Sequence, residues 1–233
     1  MSPPIARPFP RFIADAPQER APYGRWAARL GEQFAQACGP LAGEAGAPLD
    51  LETLKWFPER GWGGRVYVPV TGRAAPVEPA NGDAEAAEAE AAARGAELSV
   101  VEYFGHVSFE RSEDSEPQDL RGKADFTDVV ADDNPDWRID LNDDVIGAWR
   151  TDGGRGGDVT LIWGLPLVRG AAAATAELDG EVLDQTAIED GRFTLVAVDA
   201  VHGFVDDLYL EIVLWDRTLR RPIASESLYE EPE

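Results

Sequence analysis

Few side chains in this sequence could do acid–base chemistry, because only two histidines occur among its 233 residues. His106 lies in a predicted strand at 98–111, on the same face as two glutamates, which suits a general acid–base group flanked by carboxylates. The same pattern fits a partly exposed strand histidine with no catalytic role. His202 falls in a predicted turn and fits a loop histidine. We therefore predict no catalytic residue, and we keep histidine or carboxylate catalysis as a third hypothesis.

The sequence contains none of the usual motifs of a catalytic nucleophile. Cys38 lies on the apolar stripe of a predicted helix, so we expect a buried core thiol, and as the single cysteine it cannot form an intrachain disulfide. No serine has the G-x-S-x-G context of a nucleophile elbow. The glycine run at 153–157 lacks the lysine of a phosphate-binding loop and precedes no predicted helix, so we interpret it as a hairpin loop.

Clustered acidic residues could offer oxygen ligands to calcium, which takes about six to eight of them. The clusters fall in predicted loops or strand ends, but none has the spaced D-x-D-x-D-G pattern of a calcium loop. Acidic loops are also common in a protein this acidic. We predict no cofactor and retain calcium as an alternative. The calcium alternative would use Asp132, Asp133, Asp143, Asp144, Asp206 and Asp207.

Aromatic residues concentrate in the glycine-rich stretch 56–67, which leads into the first predicted strand. Trp56, Trp62 and Tyr67 could stack on sugar rings or anchor a protein interface. The alternative is that these side chains pack inside the protein, since seven tryptophans have to be accommodated. We take the three aromatic residues as candidate binding residues and leave core packing open.

Residues 1–22 contain six prolines, which disfavour both a helix and an inner strand and predict an extended arm. Large apolar side chains, including Phe9 and Phe12, lie between the prolines. Large apolar side chains on a segment that packs against nothing would stay exposed to water, which is unfavourable. We therefore expect the arm to pack onto the body of the protein or onto a neighbouring chain, with Phe9 and Phe12 as candidate contacts.

The elements that must position these residues are one helix followed by many strands. Apolar residues at helical spacing predict an amphipathic helix at 23–41 that packs on the body, ended by Gly39-Pro40. Valine-rich and aromatic-rich segments separated by turn signals then predict strands. These lie at 65–71, 98–111, 125–130, 137–141, 145–150, 158–163, 173–178, 192–200, 208–216 and 223–229.

This order of elements predicts a mainly β fold, because helices and strands do not alternate. We expect an antiparallel β-sandwich or flattened barrel of about ten strands with one N-terminal amphipathic helix. The sandwich would form a single domain over 42–233. A low-complexity acidic segment at 72–97 would form a solvated insertion, and a second acidic loop would occupy 112–120.

The net charge limits the classes of partner. The sequence carries 21 basic and 44 acidic residues, a net charge of −23, of which residues 1–41 contribute +2 and the remainder −25. Such a body repels phosphate backbones and anionic lipid, so we predict neither nucleic-acid nor membrane binding. The sequence shows no secretory leader and no stretch of about 20 apolar residues, which favours a cytoplasmic location.

The sequence therefore favours a non-enzymatic interaction module that self-associates or binds a protein partner through its arm and its aromatic loop. The alternative is a β-sandwich that binds a small ligand or carbohydrate through Trp56 and Trp62. An enzyme that uses His106 or carboxylates is the third hypothesis.

Overall fold

The computed structural model of the chain describes residues 26–75, 100–111, 117–150, 156–178, 180–198 and 210–228. Within these ranges one α-helix, α1 (Ala27–Cys38), precedes a series of antiparallel strands. The strands are β1 (Lys55–Trp56), β2 (Arg60–Trp62), β3 (Arg65–Arg73), β4 (Glu102–Arg111), β5 (Pro117–Thr127), β6 (Ile139–Arg150), β7 (Gly156–Pro166), β8 (Ala173–Leu178), β9 (Glu181–Ala187), β10 (Phe193–Val198), β11 (Leu210–Trp215) and β12 (Pro222–Ser227). The expected mainly β fold with one N-terminal helix is confirmed.

The strands form three sheets. The helix-side sheet has the order β1-β3-β4-β5, with β2 also paired to β3. The central sheet has the order β10-β7-β6, and the outer sheet has the order β12-β11-β8-β9. Consecutive strands pair in most of these ladders, as hairpin connections require.

The helix packs on the helix-side sheet because its apolar residues recur at intervals of four. Leu30, Phe34 and Cys38 are all at most 1% exposed and join one face of β3 and β4 in an apolar cluster. Close approach is possible because β5 has a glycine under the helix. A Cβ on Gly122 would lie 2.7 Å from the carbonyl oxygen of Gln33. The predicted helix is therefore confirmed over 27–38, and a 3₁₀ turn at Gly39–Leu41 ends it.

The central sheet is buried on both faces. Every residue from Val159 to Trp163 in β7 is buried, and so is every residue of β10. One face of this sheet meets the inner face of the outer sheet, including Ala174, Ile212 and Leu214. The other face meets the helix-side sheet. The result is four layers, the helix and three sheets, joined by two apolar clusters.

Two predicted loops are strands in the structure. Residues 117–120, expected to belong to an acidic loop at 112–120, form the start of β5, whose alternating exposed and half-buried residues gave little apolar signal. Residues 112–116 lie outside the described residues. Asn142-Asp143-Asp144, expected at strand ends, lies within the continuous strand β6. Both strands are held by backbone pairing with an apolar neighbour, β4 for β5 and β7 for β6. Strand β9 was also missed, for the same reason.

The arm at 1–22 and most of the acidic insertion at 72–97 lie outside the described residues, so the predictions made for them stay predictions. The insertion begins later than expected, because β3 continues to Arg73 and pairs there with Glu102. Within the part of the chain that the structure describes, none of the helical segments has the length and apolar character needed to cross a bilayer.

Candidate functional site

A groove of about 700 Å³ opens on the solvent-facing side of the outer sheet. We call it the Trp215 groove. It is lined mainly by apolar surface, and its residues include Ala173, Thr175, Gln185, Trp215, Arg217 and Leu219. Its floor is low because small residues from neighbouring strands lie side by side there: Ala173 pairs with both Ala187 and Trp215. A volume of this size lies within the range of about 300–1,000 Å³ found for ligand sites.

The indole of Trp215 is fixed by a chain of hydrogen bonds. Its Nε1 donates to Thr175 Oγ1 over 2.7 Å, and that hydroxyl donates to Glu177 Oε1 over 2.5 Å. Thr175 is 7% exposed, so the first bond is sheltered from competing water. Because the polar edge of the ring is engaged in this way, the ring is held in one orientation at the edge of the groove.

A tight turn between β11 and β12 forms the wall of the groove. Asp216 Oδ1 accepts from the backbone N–H of Thr218 over 2.9 Å and from its hydroxyl over 2.7 Å. Hydrogen bonds from Thr218 hold the pKa of Asp216 below its usual value. Leu219 takes a left-handed backbone conformation, with φ of 53°, and is 58% exposed. The turn therefore presents Leu219 and Arg217 to the groove on a preformed loop.

Acidic residues lie at one end of the groove, with Glu177 beside Thr175 and Glu211 further along β11. Glu177 and Glu211 are paired across β8 and β11 on the same face as Trp215. Glu211 is four residues from Trp215 along β11, which corresponds to about 13 Å. A ligand that covers the groove and extends along the strand in this direction would therefore meet negative charge.

His106 lies in a second place, between the helix-side sheet and the central sheet. Its Nδ1 is 3.2 Å from Asp144 Oδ2, and Lys123 Nζ forms an ion pair with the other oxygen of Asp144. Three strands supply this cluster: β4 carries His106, β5 carries Lys123 and β6 carries Asp144. The ring of Tyr67 packs edge-on against the imidazole, with 5.4 Å between the ring centroids.

The electrostatics of this cluster favour an ionised Asp144. Burial raises the pKa of Asp144, but the contacts of its carboxylate with His106 and Lys123 lower it by more, so that this pKa lies below its usual value. The carboxylate lies close to the imidazole, but His106 Nδ1 makes no well-aligned hydrogen bond of the kind that orients the ring in a histidine–aspartate pair. The adjoining cleft has only about 110 Å³, and His106 is 6% exposed. This arrangement leaves little room for a substrate at the imidazole.

The aromatic loop is mostly inside the protein. Trp56 and Tyr67 are each 7% exposed, and Trp56 belongs to the cluster under the helix. Polar bonds hold the loop in place: Arg60 Nε donates to the carbonyl oxygen of Thr194 over 2.9 Å. Trp62 is half-buried and lies beside Gly147. Of the three predicted aromatic binding residues, Trp62 keeps the most exposed surface.

The candidate calcium residues are dispersed. Asp132 pairs with Arg73, while Asp144 is engaged by His106 and Lys123. Asp133 lies in a 3₁₀ turn, Asp143 in β6, and Asp206 and Asp207 are outside the described residues. Over the described ranges, no three histidine, cysteine or acidic side chains come together in a way that could hold a metal ion. Phe9, Phe12 and His202 also lie outside those ranges.

Trp215 was missed as a candidate site residue, although the sequence held a signal for it. In β11 the residues Leu210, Ile212 and Leu214 share one face, which is fully buried. Trp215 shares the opposite face with Glu211, and a charged residue marks the face of a strand that points to solvent. A tryptophan on the charged side of a strand is therefore a better candidate for binding than one in a core-facing position.

Comparison of this chain with protein-family models, with curated proteins and with solved structures finds no match.

Proposed function

We propose that this protein is a non-enzymatic interaction module that binds a proline-rich, basic segment of a protein partner in the Trp215 groove. The observation that carries the proposal is the groove itself, about 700 Å³ of largely apolar space beside an indole held by Thr175. Grooves lined by aromatic side chains bind proline-rich segments well, because such segments are already extended and lose little entropy on binding. The proposal needs no cofactor.

The polar groups at the groove suit this class of ligand. A proline-rich segment has few N–H groups but keeps its carbonyl oxygens, so it needs donors from its receptor. Gln185 and Arg217 both line the groove and carry side-chain N–H groups. The carboxylate of Glu177 lies beside Thr175 at the groove, and Glu211 lies further along β11; both favour a basic residue in the ligand.

The contrast with the His106 cluster supports a binding role over an enzymatic one. His106 is 6% exposed beside a cleft of about 110 Å³, whereas the groove is several times larger and open. Enzyme sites need space next to the catalytic group for the reacting part of a substrate. The larger and better-formed site carries the proposal.

The test is a titration of the full chain with a peptide of six prolines flanked by arginines. The indole N–H signals in NMR spectra report the binding. We expect the Trp215 signal to shift and Trp215→Ala to weaken binding about tenfold or more, as for an interface hot spot. Trp137→Ala is the matched control, since Trp137 is 36% exposed and does not line the groove. Absence of any shift in the Trp215 signal at millimolar peptide would overturn the proposal.

A carbohydrate ligand is a second candidate, favoured by the fixed indole of Trp215. A flat aromatic ring beside an amide such as Gln185 can stack on a sugar ring and bind its hydroxyls. Titration with cellohexaose, maltohexaose and chitohexaose in the same experiment tests this role. A shift of the Trp215 signal with one of the sugars and none with the peptide would replace the first proposal by this one.

A further inference from the structure

The chain itself contains a segment whose chemistry matches the Trp215 groove. Residues 3–13, with the sequence PPIARPFPRFI, hold four prolines, two phenylalanines and two arginines, and no acidic residue. We propose that residues 3–13 of a second copy of this chain occupy the Trp215 groove, so that two copies associate by exchanging their arms. This inference rests on the proposed function, because it names the partner of the same site.

The apolar part of the match lies at the indole. Proline rings and the phenyl rings of Phe9 and Phe12 present flat apolar faces, and the groove offers the fixed ring of Trp215 above a floor that includes Ala173 and Ala187. The Nε1 of Trp215 already donates to Thr175, so the indole contributes its face rather than a hydrogen bond. The carbonyl oxygens of the segment would then accept from Gln185 and Arg217, which line the groove.

The charged part of the match lies at one end of the groove. Residues 3–13 carry a charge of +2 from Arg7 and Arg11, while residues 42–233 carry −25. In an extended proline-rich segment the rise is about 3.1 Å per residue, so Pro3 and Arg7 are about 12 Å apart. That spacing corresponds to the roughly 13 Å along β11 between Trp215 and Glu211. One proline on the indole therefore places an arginine near Glu211, while the carboxylate of Glu177 lies closer to the indole, beside Thr175.

A second copy fits better than the same chain because of where the arm begins. The helix α1 starts at Ala27 and packs on the helix-side sheet, so three interlayer gaps of about 10 Å each separate it from the outer sheet. The Trp215 groove faces away from those layers. Residues 3–13 of the same copy would have to pass outside all of them, with only 13 residues between 13 and Ala27, or about 40 Å of extended chain. An arm from another copy reaches the groove without that constraint.

The direction of the helix increases the distance. Cys38, at the end of the helix, lies near Tyr103, whereas Gln33 lies over Gly122, the partner of Val107, so the helix begins towards the Arg111 end of β4. The groove lies at the opposite end of the stack. Arg138, just before β6, donates to the carbonyl oxygen of Ile223, next to the residue that pairs with Trp215. The start of α1 and the Trp215 groove therefore lie at opposite ends of the layers.

The test uses full-length chains and two complementary variants. The arm variant carries Arg7→Glu, Phe9→Ser and Arg11→Glu and keeps an intact groove. The groove variant carries Trp215→Ala and keeps an intact arm. Native mass spectrometry and sedimentation should show wild-type chains at twice 25.3 kDa, each variant alone as a monomer, and a mixed dimer when the two variants are combined. The mixed dimer should dissociate about tenfold or more easily than the wild-type dimer, since it keeps one of two arm contacts.

A second groove variant separates loss of binding from loss of folding. Val182 is 44% exposed at the groove, so Val182→Arg blocks it without disturbing the core, and Val129→Arg, at 54% exposure away from the groove, is the matched control. We expect Val182→Arg to give monomers and Val129→Arg to leave dimers. Dimers that persist in both groove variants would overturn the inference. A monomeric wild-type chain would also overturn the inference. If the Trp215 signal of that monomer responds to the arm substitutions, the arm occupies the groove of its own chain.

The peptide titration distinguishes this failure from that of the proposed function. If the arginine-flanked proline peptide shifts the Trp215 signal while the wild-type chain stays monomeric, the groove binds such segments but the second copy is not their source. If neither the peptide nor a second copy engages Trp215, the proposed function and this inference fall together.

Discussion

The indole Nε1 of Trp215 and the hydroxyl of Thr175 are 2.7 Å apart, and this hydrogen bond joins the ring of the groove to the adjacent strand. Thr175→Val keeps the shape of the side chain and removes the acceptor. We expect the free energy of unfolding to fall by about 1 kcal/mol and the affinity for the proline peptide to fall several-fold, because the ring loses its fixed orientation. Urea denaturation and NMR titration measure the two effects.

Thr175→Ser is the control for this prediction, because it retains the hydroxyl. Serine should keep the Trp215 indole signal near its wild-type position and keep most of the affinity. Equal loss of affinity in the serine and valine variants would show that the hydrogen bond does not hold the ring for binding.

A second prediction concerns Asp144, whose pKa is held below its usual value by His106 and Lys123 against the effect of burial. Because the folded pKa is lower than the unfolded one, ionised Asp144 stabilises the fold above the unfolded value of about 3.9. This contribution is lost as the pH falls through the folded pKa. Asp144→Asn should lower the free energy of unfolding at pH 7 by about 1–3 kcal/mol and weaken its acid dependence.

Urea denaturation between pH 7 and pH 3 measures the effect, with Asp128→Asn as the control, since Asp128 is exposed. The control should follow the wild-type curve throughout. A variant at Asp144 that also follows the wild-type curve would show that the cluster adds nothing to stability.

A third prediction concerns Glu102, whose pKa is raised by the fold, so that its effect on stability is opposite to that of Asp144. Burial and, after it, the charge of Asp140 raise the pKa of Glu102, while Lys55 and Arg73 lower it by less. Since the folded pKa is higher than the unfolded one, ionised Glu102 destabilises the fold at neutral pH, and stability is regained as the pH falls through the folded pKa. Glu102→Gln should therefore raise the free energy of unfolding at pH 7 by roughly 1 kcal/mol or less.

The gain should disappear near pH 3, where wild-type Glu102 is protonated in both states. Exposed Glu52 provides the control, and Glu52→Gln should change stability little at either pH. A loss of stability in Glu102→Gln at pH 7 would contradict the conclusion that the ionised carboxylate of Glu102 destabilises the fold.

A fourth prediction concerns Cys38, which is 1% exposed and whose thiol pKa is raised to about 12 by burial. Because the thiolate is the reactive form, a thiol reagent such as dithionitrobenzoate should modify the native protein only at the rate at which α1 opens. In urea the same cysteine should react within the mixing time. Rapid labelling of the native protein would contradict the packing of α1.

The sequence predicts the parts of this fold that apolar patterns specify. The helix appears because Leu30 and Phe34 recur at helical spacing, and β8 is predicted at its observed bounds, Ala173–Leu178. Of strand β5 only the last three residues fall within the strand predicted at 125–130, because its stability comes from pairing with β4, which adds backbone hydrogen bonds to a mostly polar sequence. Strand β6 was predicted as two strands interrupted at its acidic residues. Asp144 lies within the continuous strand because His106 of β4 and Lys123 of β5 contact its carboxylate.

The candidate site is less predictable than the fold. Trp56 and Tyr67 follow glycine-rich loop sequence, yet both are buried, because β3 receives the helix on one face and the central sheet on the other. Trp215 becomes a site residue through Thr175, which lies 40 positions earlier in the chain. A groove formed by residues of three strands depends on the strand order, and that order is not readable from local patterns.

The division of the strands among the sheets has a practical consequence. Among the described residues, the strands of the helix-side sheet come before residue 128 and those of the other two sheets come after residue 138, so a cut between them interrupts no described ladder. The two pieces would still meet through Phe57 and Tyr67, through the bond from Arg60 to Thr194, and through His106 and Asp144. The connection between residues 128 and 138 is thus a place at which fragment complementation can be tested, since each piece keeps its own described ladders.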